Sequence, residues 1–224
     1  MIGFLKTLVG SRAHGIERED SDFDYRGVFV VPTNELLSIG AKIKNTSWIE
    51  GQTDNTSWEI GHFLEMAIHS NPNVLEVFFA PVVETVVVRG VDWGDRLRKL
   101  FPYVWSSKGV YDAYLNYSHN QRAKLLETQE KKRSRKYSLI YLMILHQGIN
   151  ILKNGELVIN FSNSPIFETL KAVRDGQLSV GEIINICIFW EKELEDAYMK
   201  NKNKEVDYNK VNDFLLEVRK EFFQ

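Results

Sequence analysis

Cysteine is almost absent. The single Cys187 stands in an apolar run over residues 183–190, which excludes an internal disulfide and a cysteine-rich zinc module. Free cysteine behaves as a small buried hydrophobe, and that is the expected role here. A reducing compartment is compatible with this usage, so a cytoplasmic location is expected. Long apolar runs are also missing. No stretch reaches the roughly 18 residues that a membrane helix requires, and no membrane partner is expected. Residues 1–10 are apolar but short; they lack a basic n-region and a cleavage site, and read as a first strand instead of a signal peptide. Charge of one sign is not in excess either. The 28 Lys and Arg against 30 Asp and Glu leave a net charge of −2, so no global positive field draws the chain to nucleic acid and any such contact must be local. Internal repeats and low-complexity tracts are absent.

What is present is ordinary for a globular chain. Hydrophobic residues make up 44% and charged residues 26% of 224 positions, enough for one large domain or a catalytic domain with a small helical companion. The first third reads as strands and tight turns: residues 4–9, then 22–31 until Pro32, then 42–50 and 54–59 around a hairpin loop at 51–53. Thr33 is placed to cap a short helix over 34–38. Ile60, Phe63, Leu64, Ala67 and Ile68 recur at helical spacing, Asn71-Pro72-Asn73 breaks that helix, and 74–79 begins the next. Residues 82–88 are a β-branched run that predicts a buried strand.

From about Val91 the pattern is helical: 91–100 capped by Asp92, 105–129, 137–153 closed by Asn154-Gly155, 164–173, 180–201 capped by Ser179, and 208–222. Residues 131–136, with five cations in six positions, read as a basic loop. The order predicts an α+β chain with an all-helical C-terminal lobe. The expected division is a domain over residues 1–100 and a helical domain over 101–224.

The chemistry concentrates in Gly10-Ser11-Arg12-Ala13-His14-Gly15 and the Asp22-Phe23-Asp24 that follows. Gly10 and Ser11 stand where a strand gives way to a loop or helix, where backbone N–H groups can hold phosphate oxygens. Gly10 allows close approach of a phosphate, Ser11 adds a hydroxyl donor, and Arg12 is a candidate phosphate clamp. Asp22 and Asp24, two apart on a strand, share one face. Two carboxylates so placed repel unless a cation lies between them, and magnesium takes a few carboxylates together with substrate phosphates. Each piece alone is weak; phosphate loop, spacer and carboxylate pair together are much sharper.

The segment Gly10-Ser11-Arg12-Ala13-x-Gly15 followed by Ser21-Asp22-x-Asp24 resembles the signature of the DNA polymerase β-like nucleotidyltransferase superfamily. More narrowly, residues 10–28 resemble a bacterial and phage family of predicted nucleotidyltransferases described as RNA-repair-pathway polymerase-β-like proteins. Trp58-Glu59-Ile60-Gly61-His62-Phe63, Asn71-Pro72-Asn73-Val74-Leu75-Glu76, Lys136-Tyr137 and Val173-Arg174-Asp175-Gly176 fit the same family. The likeness is specific over residues 4–81 and looser to about residue 200. It implies a small mixed sheet of the polymerase-β type flanked by helices. It implies Ser11 on the triphosphate, Asp22 and Asp24 on two Mg²⁺ (or Mn²⁺) ions, and a third carboxylate. Glu59 is the candidate for that place, and Asp54 the reserve. Gly10, Ser11, Arg12, Arg26, Lys136 and Tyr137 are the expected nucleotide contacts.

Other residues carry two readings. His14 can touch a phosphate or pack in the loop. Arg26 shares Asp24's face and can bind phosphate, although a structural ion pair is favoured. His62, three residues past Glu59, is expected to be a partly buried helical histidine. Asn71 caps the next helix, Glu76 holds that turn together from inside, and Asp20 closes the turn before the strand. Tyr103, Trp105, Tyr111, Tyr114 and Tyr117 are expected to pack between the lobes in preference to stacking a base. Phe214, Leu215, Val218 and Phe222 form a stripe on which a homodimer or protein partner could dock.

The expectation is transfer of an NMP from a Mg-NTP, such as ATP, to an RNA 3′ hydroxyl with release of pyrophosphate. The rival readings are AMP transfer to a protein hydroxyl and a non-catalytic nucleotide-binding module.

Overall fold

Leu5, Thr7 and Val9 of β1 (Ile2–Val9) are buried while Lys6 and Leu8 between them are half-exposed, the period-2 pattern of a strand with one covered face. The computed structural model describes residues 1–49 and 55–223; the hairpin-loop positions 51–53 and the reserve carboxylate Asp54 lie outside them. After β1 come α1 (Gly10–His14), β2 (Asp24–Val30), α2 (Thr33–Leu36), β3 (Thr46–Ile49) and β4 (Asn55–Glu59). Next are α3 (Ile60–Ile68), α4 (Pro72–Leu75), β5 (Val82–Thr85), β6 (Val87–Val88), β7 (Val91–Asp92) and α5 (Trp93–Arg98). The remainder is helical: α6 (Ser107–Glu127), α7 (Lys131–Asn154), α8 (Phe167–Asp175), α9 (Val180–Lys200) and α10 (Tyr208–Glu221).

Among the described residues the main sheet runs β3-β4-β2-β1-β5. Only β2 and β4 pair in parallel; the other neighbours are antiparallel. The class is α+β, as the order of patterns predicts. Helices α3 and α5 pack on the sheet, and α6, α7 and α9 form a bundle with α8 against α7. Local signals explain the helix ends. Glu59 caps α3 by accepting from the Gly61 N–H, Ser106 caps α6, Ser179 and Glu182 form a capping box on α9, and Gly155 closes α7 at φ 69°. No helix among the described residues is long and apolar enough to cross a membrane.

Several expectations are corrected. β2 begins at Asp24, opposite Val9, so Asp22 precedes the ladder. The Phe23 ring, just before the strand, stacks on Tyr25 two residues on. Residues 82–85 form an exposed edge strand instead of a buried one, because β5 is the last strand beside β1; Val82 and Val83 are 43% and 46% exposed. The basic run 131–136 is helical. Lys and Arg are good helix formers, Arg133 pairs with Glu130 at 2.8 Å, and the actual break is 128–130. Thr33 lies inside α2 and donates its hydroxyl to the Arg219 carbonyl; Pro32 occupies the cap.

The C-terminal stripe is buried as well. Phe214, Val218 and Phe222 pack on Phe4 of β1 and Trp93 of α5, and the Thr33 N–H donates to the Phe222 carbonyl. Helix α10 thus returns from the helical half to the sheet. Arg219 fixes it there with two hydrogen bonds to Glu59, at 2.7 and 2.9 Å. Glu59 is 3% exposed, so Arg219→Met strands a buried charge and is expected to cost about 3–5 kcal/mol in urea unfolding. Adding Glu59→Gln removes the stranded charge, and the double variant should recover most of that loss. A double variant no more stable than Arg219→Met alone would show that the pair does not hold α10.

Candidate active site

β1 ends, α1 begins and β2 starts at one point. Val9 lies opposite Asp24, and Gly10 adopts φ 73° at the first position of α1. A methyl group added to Gly10 would collide with the Asp24 carboxylate oxygen Oδ2. Glycine is required here twice over, by its positive φ and by the carboxylate lying against its Cα. The amide-rich start of α1 and the carboxylate of β2 are therefore in contact. The Ser11 carbonyl accepts the Gly15 and Ile16 N–H groups and closes the one-turn helix, with Ala13 buried beneath.

Arg12 is committed to the loop itself. Its Nε and Nη2 donate to the Ser21 carbonyl at 2.9 and 2.7 Å, and its guanidinium lies 4.1 Å from the centre of the Phe23 ring. That ties the two ends of the 12–21 segment together and brings Asp22 and Asp24 back to α1. The turn before the strand is closed by Ser21, whose hydroxyl accepts the Arg18 N–H and whose N–H donates to the Arg18 carbonyl; Asp20 is exposed beside it.

Beneath the loop is a buried charge cluster. The Glu76 carboxylate accepts from His14 Nε2 at 2.7 Å and pairs with Arg26, and Arg26 also donates to the Asn73 carbonyl at 3.1 Å. Burial alone would push the Glu76 carboxyl up; the Arg26 charge and the His14 hydrogen bond outweigh it and hold the carboxyl below its usual range. Arg26 is thus engaged in a structural ion pair with Glu76. Tyr114 is fully buried, and its hydroxyl has no hydrogen-bond partner among the described residues. Burial and then the Glu76 charge keep its phenol well above the ordinary value. Asn71 caps α4 through the Asn73 N–H, as its type predicts. His62 pairs with Glu65 on its own helix and is half-buried.

Glu59, the expected third carboxylate, is at the other end of the sheet. The parallel register sets it opposite Phe29, five strand residues from Asp24, or about 17 Å at the ordinary strand rise. Both its oxygens are used by Arg219, and one also accepts the Gly61 N–H. The residue caps and clamps, and does not join the Asp22–Asp24 pair. Asn55, the first described residue of β4, is opposite Tyr25, next to Asp24. No group of three or more His, Cys, Asp or Glu able to hold a metal occurs among the described residues.

Lys136 and Tyr137 stand on α7, and among the described residues no hydrogen bond or ring contact joins them to α1 or β2. The aromatic cluster is packing: Tyr111 stacks on Tyr198 at 4.7 Å, Trp105 lies beside Phe101, and Tyr114 is in the bundle core.

Contacts from the helical half that sequence alone did not reveal hold the loop. The Phe161 N–H donates to the His14 carbonyl at 2.9 Å, the Asn160 side chain fills the space beside Gly15, and Arg18 donates to the Arg174 carbonyl at 2.9 Å. Only Gly15 hinted at a close approach; Asn160 and Phe161 carry no local signal.

The Glu76 cluster has a measurable consequence. A carboxyl whose folded pKa is depressed contributes stability above its unfolded pKa of 4.5, and that contribution is lost as pH falls through the lower folded value. Glu76→Gln should cost roughly 3 kcal/mol at pH 7, the low end for breaking a buried pair because Arg26 keeps some solvent. The gap from the parent protein should narrow below pH 4.5 in urea unfolding. A gap that is constant with pH would mean that Glu76 is not ionised in the fold.

Among proteins of known sequence, a search of the curated set finds no match. A family model described as the RNA repair pathway DNA polymerase beta family matches residues 4–179, running from β1 through α8 to the residue that caps α9. With the strand–turn–carboxylate arrangement and most of the chain inside that match, the protein belongs to the RNA repair pathway DNA polymerase beta family.

Proposed function

We propose that the protein is a metal-dependent nucleotidyltransferase that moves an NMP from an NTP to an RNA 3′ hydroxyl. The observation that carries this reading is the contact between Asp24 and Gly10, which sets a carboxylate against the amide-rich start of α1. Asp24 and Asp22 would offer hard carboxylate oxygens, which suit Mg²⁺ or Mn²⁺, and such an ion would supply charge neutralisation for the phosphates of the substrate. Family membership supports the reaction class.

In this proposal the backbone of Gly10 and Ser11, with the Ser11 hydroxyl, grips the triphosphate. Asp22 and Asp24 hold the ions, two in number. Asp54, which lies outside the described residues, is the proposed third carboxylate. The bound ions would lower the charge on the attacking hydroxyl and on the leaving pyrophosphate. The hydroxyl oxygen bonds to the α-phosphorus in line as its proton passes to the third carboxylate, the bond to the β-phosphate oxygen breaks, and pyrophosphate departs with that bond's electron pair. The chain's own part is positioning: Glu76 fixes α1 against β2 from below, and Arg12 draws the carboxylate segment to the loop.

Incubation with each α-labelled NTP, Mg²⁺ or Mn²⁺, and total RNA or protein tests this. Label should move into RNA and fall by more than about a hundredfold in the Asp22→Ala/Asp24→Ala variant, the scale of losing a group that stabilises transition-state charge. Asp54→Ala should fall similarly and Glu59→Gln should not. Label on protein would replace RNA by a protein hydroxyl as acceptor, and NTP binding with no transfer to either would leave a nucleotide-binding module.

A further inference from the structure

The strongest positive feature of the molecule lies outside the site just described. Arg133 is paired with Glu130, but Lys131, Lys132 and Lys136 are exposed on the first turns of α7 and have no ion-pair partner among the described residues. With a net charge of −2 for the whole chain, these cations are a local concentration. Beside them, Tyr137, Lys124, Thr128 and Gln129 line an open cavity of about 380 Å³ at the α6–α7 turn, together with Glu127 and with Glu130, whose charge Arg133 pairs. An aromatic ring, an amide and a hydroxyl in one small cavity suit a single unstacked base, and cations around it suit its phosphates.

This end of the helical lobe is joined to the site by direct contacts. The Arg135 guanidinium lies over Gly176, the residue that ends α8; a methyl group there would collide with it. Two residues back, the Arg174 carbonyl accepts from Arg18, which belongs to the segment between Ser11 and Asp22. Three neighbouring elements therefore lead from the carboxylate segment to the cations of α7.

We infer that the α6–α7 end of the helical lobe is a docking surface for single-stranded RNA, with Lys131, Lys132 and Lys136 on its phosphates and Tyr137 against one base. The inference rests on the proposal that RNA is the acceptor. A duplex is disfavoured, because the cavity has room for one base and three lysines do not make a long groove.

The test is fluorescence anisotropy of a short, labelled single-stranded RNA of mixed sequence with the full chain, without NTP, over a range of salt. Lys131→Glu/Lys132→Glu/Lys136→Glu should weaken binding and flatten the log–log salt dependence by about two units, roughly 0.7 for each of three lost phosphate contacts. Tyr137→Leu should weaken binding about tenfold while Tyr137→Phe, which keeps the stacking face, should not. The circular dichroism melt of the lysine variant should match the parent, since the lysines are exposed, and the Tyr137 variants are compared below the onset of their own melts. RNA bound equally well by parent and variants would overturn the surface while leaving the transferase proposal to the labelled-NTP assay. No RNA binding by the parent would overturn the surface and the RNA acceptor together, and label transfer to protein would then show that the chemistry survives without them.

Discussion

Glu76 brings a negative charge into the interior, and the hydrogen-bond donors that satisfy it come from two different elements. His14 ends α1 and Arg26 lies two residues past Asp24 on β2. A buried carboxylate of this kind is tolerated only while both partners are in place. The relative position of α1 and the start of β2 is therefore held by a constraint that fails as a unit. The close approach of Gly10 and Asp24 sits directly above it. Arg12 adds a second, more exposed tie through the Ser21 carbonyl. An active site that works by positioning needs such rigidity beneath flexible substrate-facing groups.

The far end of the same sheet uses charge for a different purpose. Glu59 closes the N-terminus of α3 and meets Arg219, while Phe214 and Phe222 sit on Phe4 and Trp93. The apolar contacts hold α10 down, and the ion pair sets its register, since a bidentate arginine–carboxylate pair accepts little sliding. The two charged clusters lie at opposite ends of β2 and β4, one beside the loop and one at the C-terminal helix. A carboxylate in a family-like segment can thus be structural, and strand register separates the two roles where residue type does not.

The motif was legible because its parts are local. A glycine where the first strand gives way and a strand shortly after the Asp22–Asp24 pair follow from neighbouring residues, and the helix ends at Ser179, Asp92 and Gly155 follow from cap chemistry. What was misread depends on partners distant in sequence. Residues 82–85 look like a buried strand because β-branching reports extended backbone and not which side is covered; only the strand order makes β5 an edge. The Phe214 stripe looked exposed because its cover, β1, is some two hundred residues earlier in the chain. Glu59 was misplaced because segment likeness carries no register. The basic run looked like a loop because charge density was weighed above helix propensity, and its partner Glu130 lies just before it.

The contacts that shape the loop define the smallest working unit better than the change from strands to helices near residue 100. Phe161, Asn160 and Arg174 hold His14, Gly15 and Arg18. A fragment ending after α5 would keep Asp24, Gly10 and Glu76 but lose every one of these supports, and Gly15 would face an empty space where Asn160 now sits. The matched region, 4–179, contains both the loop and its supports and stops at the residue that caps α9. The segments beyond it act at a distance: α9 packs in the bundle, with Leu194 against Gly148, and α10 is fixed at the Glu59 end of the sheet. The helical half is thus two things at once. Residues 160–174 are a wall of the loop between α1 and β2, and the last two helices brace the bundle and the sheet behind that wall.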